Sequence, residues 1–318
     1  MGFEIPKEKF QGRIREVVIG ATKEQGGTRS KALVIGGSNG LAFHKFESDC
    51  PNRPLVAMDV VDTVRMVQDS LHGVLGPAAS HPVEWAKMCE KEWGADVLLL
   101  KLQSANPEEE NRSVEECEAL VKEVAKTVSL PLLVYGCGSE EKDAKLMEAV
   151  SNATKGERVF LGLAEEKAYK SITAAAMANG HGIVAFSNLD INLAKQMNIL
   201  LLDFGMKPEN IIIDPLMAAL GMGLEYSYSV IERLKLGALS GDPVLQMPII
   251  CDCSCAWNVP EAAEENPAKG DPRSRGVWWE SMTAYSALVA GADMVVVRHP
   301  DSVRKVKKAI DDLAKGGA

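Results

Sequence analysis

Apolar residues recur along this chain on two different periods, and the alternation between them sets the first expectation about its fold. From residue 54 onward, short β-rich apolar runs bounded by turn residues alternate with longer segments whose apolar positions repeat at helical spacing. Eight runs can be read: PLVAMDV (54–60), ADVLLLKL (95–102), PLLVYG (131–136), RVFLGLA (158–164), GIVAFSN (182–188), IIIDPL (211–216), PIICDCS (248–254) and ADMVVVRH (292–299). Repeated strand–helix units predict an α/β protein with a parallel sheet, and eight of them close a TIM (β/α)8 barrel. An open doubly wound sheet is the alternative.

The helical segments carry their own punctuation. In SVEECEALVKEVAKTV, Ser113 and Glu116 form a capping box, and Val114, Cys117, Leu120, Val121, Val124 and Val128 make one apolar stripe that predicts packing on the sheet. Asp190 is placed to cap INLAKQMNILLLDF, which Gly205 ends, and Val303, Val306, Ile310 and Leu313 repeat at helical spacing after Asp301. Gly-Ala-Asp precedes a strand twice, at 94–96 and 291–293, where glycine supplies a left-handed turn.

Two further runs, REVVIG (15–20) and KALVIGG (31–37), flank a polar stretch and predict a hairpin. Additional strands do not fit an eight-stranded barrel. The expectation is therefore an extension with a hairpin (1–53) that plugs the N-terminal mouth of a barrel spanning 54–318, all within one structural domain, with the C-terminal mouth left for function.

Composition narrows the function classes. A chain of 318 residues with 46% hydrophobic and 25% charged residues has ample material for a large core. Its net charge of -9 argues against broad contact with nucleic acid or an anionic membrane. No signal-like or membrane-length apolar run occurs, so a cytoplasmic location is expected. Seven cysteines without a regular framework fit a reducing compartment.

Chemistry in such a barrel belongs at strand C-termini and the loops beyond. Those ends carry Asp59, Asp62, Asn188, Asp214, Asp252, Arg298 and His299. Each can equally be a helix cap or a loop tie. Two loops are long: DTVRMVQDSLHGVLGPAASHP after the first strand and CAWNVPEAAEENPAKGDPRSRG after the seventh. The composition of the second predicts a mobile or partner-ordered segment.

The stretch CDCSC at 251–255 invites a metal reading, but strand parity opposes it. If Asp252 points into the barrel, Cys251 and Cys253 point outward as small apolar groups, with Cys255 on the same face. No C-x-x-C pair occurs in the chain either. IGGSNG (35–40) has the look of a phosphate cradle without the following lysine, and a glycine-rich hairpin end explains it better. His44, His72, His81, His181 and His299 are scattered. Met206, Met217, Met222, Tyr226 and Tyr228 either line a soft apolar surface for a ring cofactor or are core.

The run GGSNGLAFHKFESDCPNRPLVAMDVVD (36–62), with IIIDPLMAALGMGLEYS (211–227) and CDCSCAWN (251–258), resembles the small subunit of the corrinoid/iron-sulfur protein, the delta-subunit family of acetyl-CoA decarbonylase/synthase in the anaerobic acetyl-CoA (Wood-Ljungdahl) pathway. That resemblance implies a barrel paired in a heterodimer with a larger subunit, which carries a four-iron cluster. A corrinoid (cobamide) is then expected at the interface. The complex would take a methyl group from methyltetrahydrofolate onto Co(I) through a separate methyltransferase and deliver it to acetyl-CoA synthase. No D-x-H-x-x-G motif occurs, so cobalt coordination by this chain is not expected. Position at the mouth makes Asn188, Asp214, Met217, Asp252 and Arg298 the candidate corrinoid contacts, with neither catalytic nor metal-binding residues expected on this chain. Two alternatives stay open: a methyltetrahydrofolate-dependent corrinoid methyltransferase, which the DPL at Asp214 also resembles, and a non-catalytic assembly scaffold.

Overall fold

A computed structural model describes residues 4–316. In chain order its elements begin with the hairpin strands β1 (Val17–Ile19) and β2 (Leu33–Ile35), which pair antiparallel. The barrel follows: β3 (Leu55–Val61), α1 (Asp69–Leu75), α2 (Pro82–Lys91), β4 (Val97–Lys101), α3 (Val114–Thr127), β5 (Leu132–Tyr135), α4 (Glu140–Ala153) and β6 (Phe160–Ala164). It continues with α5 (Tyr169–Ala178), β7 (Gly182–Phe186), α6 (Ile191–Asp203), β8 (Ile211–Asp214), α7 (Leu224–Leu239), β9 (Ile250–Asp252), α8 (Pro260–Ala263), α9 (Pro272–Ala290), β10 (Met294–Val297) and α10 (Pro300–Gly316).

The strands lie in the order β8-β7-β6-β5-β4-β3-β10-β9, all parallel. A parallel bridge between Ile213 and Ile249 closes the ring, with the Ile213 N–H donating to the Pro248 carbonyl at 2.9 Å. Each of the eight predicted runs holds one strand, β3 extending one residue past its run, and the closing bridge rules out the open sheet.

Alternation along the strands sorts side chains into two layers. Val56, Met58, Leu98, Leu100, Ile211, Ile213 and Cys251 pack outward against the helices. Leu55, Ala57, Val97, Leu99, Leu133, Phe160, Val184, Ile212, Ile250, Met294 and Val296 fill the barrel interior. Gly182 is required there, because a Cβ at that position would stand 2.2 Å from the Phe160 ring. The predicted helix punctuation also holds. Ser113 and Glu116 form the capping box of α3, and Asp190 accepts the N–H groups of Asn192 and Leu193 at the start of α6. On α10, Val303, Val306 and Ile310 are buried, but Leu313 is 40% exposed at the frayed end of the stripe.

The hairpin does plug the N-terminal mouth. Val17, Ile19 and Ile35 are fully buried in the same cluster as the barrel interior. Arg29, in the connection between β1 and β2, seals the rim: its guanidinium pairs with Glu157 at 2.7 Å and donates to the carbonyls of Ala125, Val128 and Leu130. Gly36 and Gly37, both with φ near +80°, turn the chain out of the hairpin, so IGGSNG is its glycine-rich end.

The two Gly-Ala-Asp junctions are built alike. Asp96 accepts the Val56 N–H at 3.0 Å and pairs with Lys307; Asp293 accepts the Ile249 N–H at 3.0 Å and pairs with Lys235. Each aspartate thereby satisfies an amide at the start of a neighbouring strand.

Candidate functional site at the C-terminal mouth

Extending the inward parity one step past the apolar interior brings a polar layer to the mouth. Asp59, Lys101, Tyr135, Phe186, Asp214, Asp252 and Arg298 continue the inward-facing positions of their strands. Asp59 is fully buried and held by two cations. The Arg298 Nε lies 3.0 Å from Oδ1, and Lys101 Nζ is 2.9 Å from Oδ2. Lys101 also pairs with Asp252 at 2.6 Å and donates to the Ser254 hydroxyl at 3.0 Å. Burial works against the charge on Asp59, but Arg298 and Lys101 overcome it and hold the carboxyl well below the usual range. Likewise, burial of Lys101 is outweighed by Asp252 and Asp59, which raise its pKa.

Asp214 is treated differently. It is 3% exposed, accepts the Leu216 N–H at 3.0 Å and the Tyr135 hydroxyl at 3.3 Å, and has no cation in contact among the described residues. Burial, reinforced by the nearby Asp252 charge, pushes its pKa up to about 7. Near neutral pH this carboxyl is therefore poised between hydrogen-bond donor and acceptor.

Above these groups opens a cavity of about 470 Å³, whose walls include Lys101, Tyr135, Phe186, Asp214, Met217 and Asp252. Of the residues expected from the sequence, Asp214, Met217, Asp252 and Arg298 converge on it. Asn188 does not line it: it sits exposed with φ +40° on the loop after β7, whose Leu189 N–H donates to the Pro215 carbonyl. Most Arg298 donors are already engaged, by Asp59, the Met66 carbonyl and Gln68. Its reach toward a ligand is small.

The remaining strand-end groups serve the scaffold. Asp62 ties the Ser104 amide at 2.8 Å. His299 is fully buried, stacks on Trp257 and accepts the Asp301 N–H, and burial lowers its pKa to about 4. Glu280, which the sequence reading passed over, accepts the N–H groups of Arg298 and His299 from a fully buried position on α9. Burial raises its pKa to about 7 against those hydrogen bonds.

Cys251 and Cys253 face the helix layer, as parity requires. Cys255 departs from the expectation. β9 stops at Asp252 and a 3-10 turn follows, which swings Cys255 to the cavity wall, where its thiol faces the Met217 carbonyl at 3.2 Å. Among the described residues no three His, Cys, Asp or Glu side chains come together as metal ligands. The second long loop takes a defined path in the isolated chain. It forms short helical turns pinned by Arg275, which donates to the carbonyls of Glu261, Glu264, Lys269 and Gly270. Met206 and Met217 are buried, Tyr228 is packed at the edge of the core, and Met222 and Tyr226 are 59% and 66% exposed beside the mouth.

Lys101, Tyr135 and Phe186 are among the cavity residues that sequence reading missed. The available signal was strand parity, carried one residue beyond each apolar run.

Comparison with known proteins fits this geometry. Solved dihydropteroate synthases share the fold: the Yersinia pestis enzyme in a sulfonamide complex gives a TM-score of 0.60 at 14% identity over 86% of this chain and 98% of its own. The Xanthomonas albilineans enzyme with 7,8-dihydropteroate gives 0.59 at 16% identity over 87% and 98%. The delta subunit of the acetyl-CoA decarbonylase/synthase complex from Archaeoglobus fulgidus is 34% identical over 98% of this chain and 71% of its own length. The one from Methanopyrus kandleri is 35% identical over 96% and 76%. The family model for the CO dehydrogenase/acetyl-CoA synthase delta subunit matches residues 16–306, and the chain, with its plugged barrel and polar mouth, belongs to that family.

Proposed function

We propose that this chain is the barrel subunit of a heterodimeric corrinoid/iron-sulfur methyl carrier, covering one face of a corrinoid held against a larger, iron-sulfur-bearing subunit. In that role it serves methyl transfer from methyltetrahydrofolate, through a separate methyltransferase, to acetyl-CoA synthase. The observation that carries the reading is the mouth itself. Its cavity is smaller than a corrin macrocycle with its amide arms, so the barrel can cap such a ring but not enclose it. A bound corrinoid would supply the reduced cobalt centre on which the methyl group rides.

The residues fit a cap. Asp214 offers an O–H or an acceptor to an amide arm, Asp252 an acceptor, Met217 apolar cover, and Asn188 a rim amide with both hydrogen-bonding functions. Arg298, locked on Asp59, keeps the floor beneath them rigid. Pairing Lys101 and Arg298 with Asp59 and Asp252 leaves a floor without a strong net field toward the ligand.

The test is anaerobic methylation of Co(I) corrinoid from methyltetrahydrofolate. The chain alone is expected to give no turnover. With the large subunit and methyltransferase added, methylation is expected, and Asp214→Ala is expected to weaken corrinoid retention. A heterodimer structure with none of Asn188, Asp214, Met217 or Asp252 near the ring would overturn the assignment.

One observation favours a second reading. A cavity of about 470 Å³ with a buried carboxyl at its floor has the volume of a site for a bicyclic heterocycle, as a methyltetrahydrofolate-dependent corrinoid methyltransferase would need. Turnover by the chain alone in the same assay would select it.

A further inference from the structure

The opposite end of the barrel contains a second cavity, of about 220 Å³, between the segment following β2 and the ends of α7, α9 and α10. Its wall includes Ser38, Phe43, Cys50, Lys235, Asp293 and Ile310. Residues of FHKFE (43–47) and PNRP (51–54), both inside the run 36–62 that carries the family resemblance, form one side of it, and nothing in the mouth chemistry uses them.

The two Gly-Ala-Asp junctions show what is unusual here. At the first, Lys307 divides its ammonium between Asp96 and the Gly94 carbonyl, both at 2.6 Å, and its side chain is 25% exposed to water. At the second, Lys235 is 3% exposed, and Asp293, at 3.2 Å, is its single partner among the described residues. An ammonium has three donors, so a buried lysine with one bond leaves two unmet. Ser38, 8% exposed, lines the same cavity, and its hydroxyl has no partner among the described residues. Buried polar groups are rarely left in this condition.

We infer that this cavity binds a compact carboxylate on a short apolar stem. Lys235 and the Ser38 hydroxyl would receive the carboxylate oxygens, while Phe43, Pro54 and Ile310 would contact the stem. Lys45 and Arg53 also line the cavity but are exposed, so Lys235 is its one buried cation among the described residues and a single negative charge matches it. A doubly charged phosphate suits the site less, because Asp293 and the carboxyl-terminal end of α9 at Gly291 border it and oppose further negative charge. This site is independent of the corrinoid reading.

Cys50 provides the readout. It is a partly exposed thiol on the cavity wall, whereas Cys255, also partly exposed, lies at the far mouth and serves as the internal control. The full chain would be labelled with a thiol reagent across a titration of sodium butyrate, and in parallel of inorganic phosphate. The expected result is saturable slowing of Cys50 labelling by butyrate, fivefold or more, with Cys255 unaffected and phosphate ineffective. Ser38→Ala should raise the butyrate concentration for half-protection at least threefold, and Lys235→Met should abolish protection. Because Lys235→Met strands Asp293 and can fail to fold, Ser38→Ala alone suffices to decide. Unchanged labelling under butyrate would mean the cavity holds only water. Protection by phosphate equal to that by butyrate, or protection unaltered in Ser38→Ala, would equally overturn the inference.

Discussion

The Arg29 seal of the plug and the open mouth of this barrel handle buried charge in opposite ways. At the plugged end, Arg29 is 3% exposed and saturated by one carboxylate, three main-chain carbonyls and the Thr28 hydroxyl, over an apolar plug of Val17, Ile19 and Ile35. At the open end, Lys101 and Arg298 neutralise Asp59 and Asp252 but leave Asp214 without a cation and with its pKa near 7. Complete satisfaction serves stability, whereas a carboxyl left without a cation at the floor of a cavity remains available to a ligand. A barrel closed at its lower end thus frees its upper layer for chemistry.

The most severe way to break this contrast is at the plug. Arg29→Met leaves three carbonyls without this donor and Glu157 without its cation, held by Thr28 alone among the described residues, and we expect a loss of about 3–5 kcal/mol in urea unfolding. Ile19→Ala in the same plug should cost about 2–4 kcal/mol, with corrinoid retention by the assembled heterodimer unchanged once the variant is folded. Retention lost in step with neither stability nor folding would erase the distinction between the ends.

Asp214→Asn tests the open end. A carboxyl whose folded pKa is raised binds more protons in the native than in the unfolded state between pH 3.8 and about 7. Stability therefore falls as pH rises through that window and levels off above it. Glu280 acts in the same direction, so the measurement is the difference between wild type and variant. The asparagine variant should lack its share of the fall and gain about 2–4 kcal/mol relative to wild type at pH 8 against pH 4. An identical pH dependence in both proteins would show that Asp214 is ionised throughout.

The smallest effect on stability is expected at the rim. Asn188→Gly at φ +40° removes an exposed side chain from a conformation glycine adopts freely, so stability should stay within about 0.5 kcal/mol. Corrinoid retention should nonetheless weaken if Asn188 contacts an amide arm. A variant with unchanged retention would confine the contact surface to Asp214, Met217 and Asp252.

Much of this was legible in the chain. Runs such as IIIDPL and ADMVVVRH, set between segments of helical period, were enough to specify eight strands and their order, because a parallel strand needs a crossover helix before its neighbour. Parity set Asp252 and Cys251 on opposite faces, and the cost of an aspartate in the apolar helix layer put Asp252 inward and Cys251 outward. It failed at Cys255, where the strand had already given way to a turn whose start no local pattern announced. Lys101 was overlooked for a different reason: its role depends on Asp59, Asp252 and Ser254, which lie 42, 151 and 153 residues away along the chain. The sequence by itself determined the elements and the faces they present, because those follow from local periodicity. Only the closed ring decided which charges are paired, which carboxyl keeps its proton and where cavities remain, because burial and Coulomb energies depend on distances that closure alone creates.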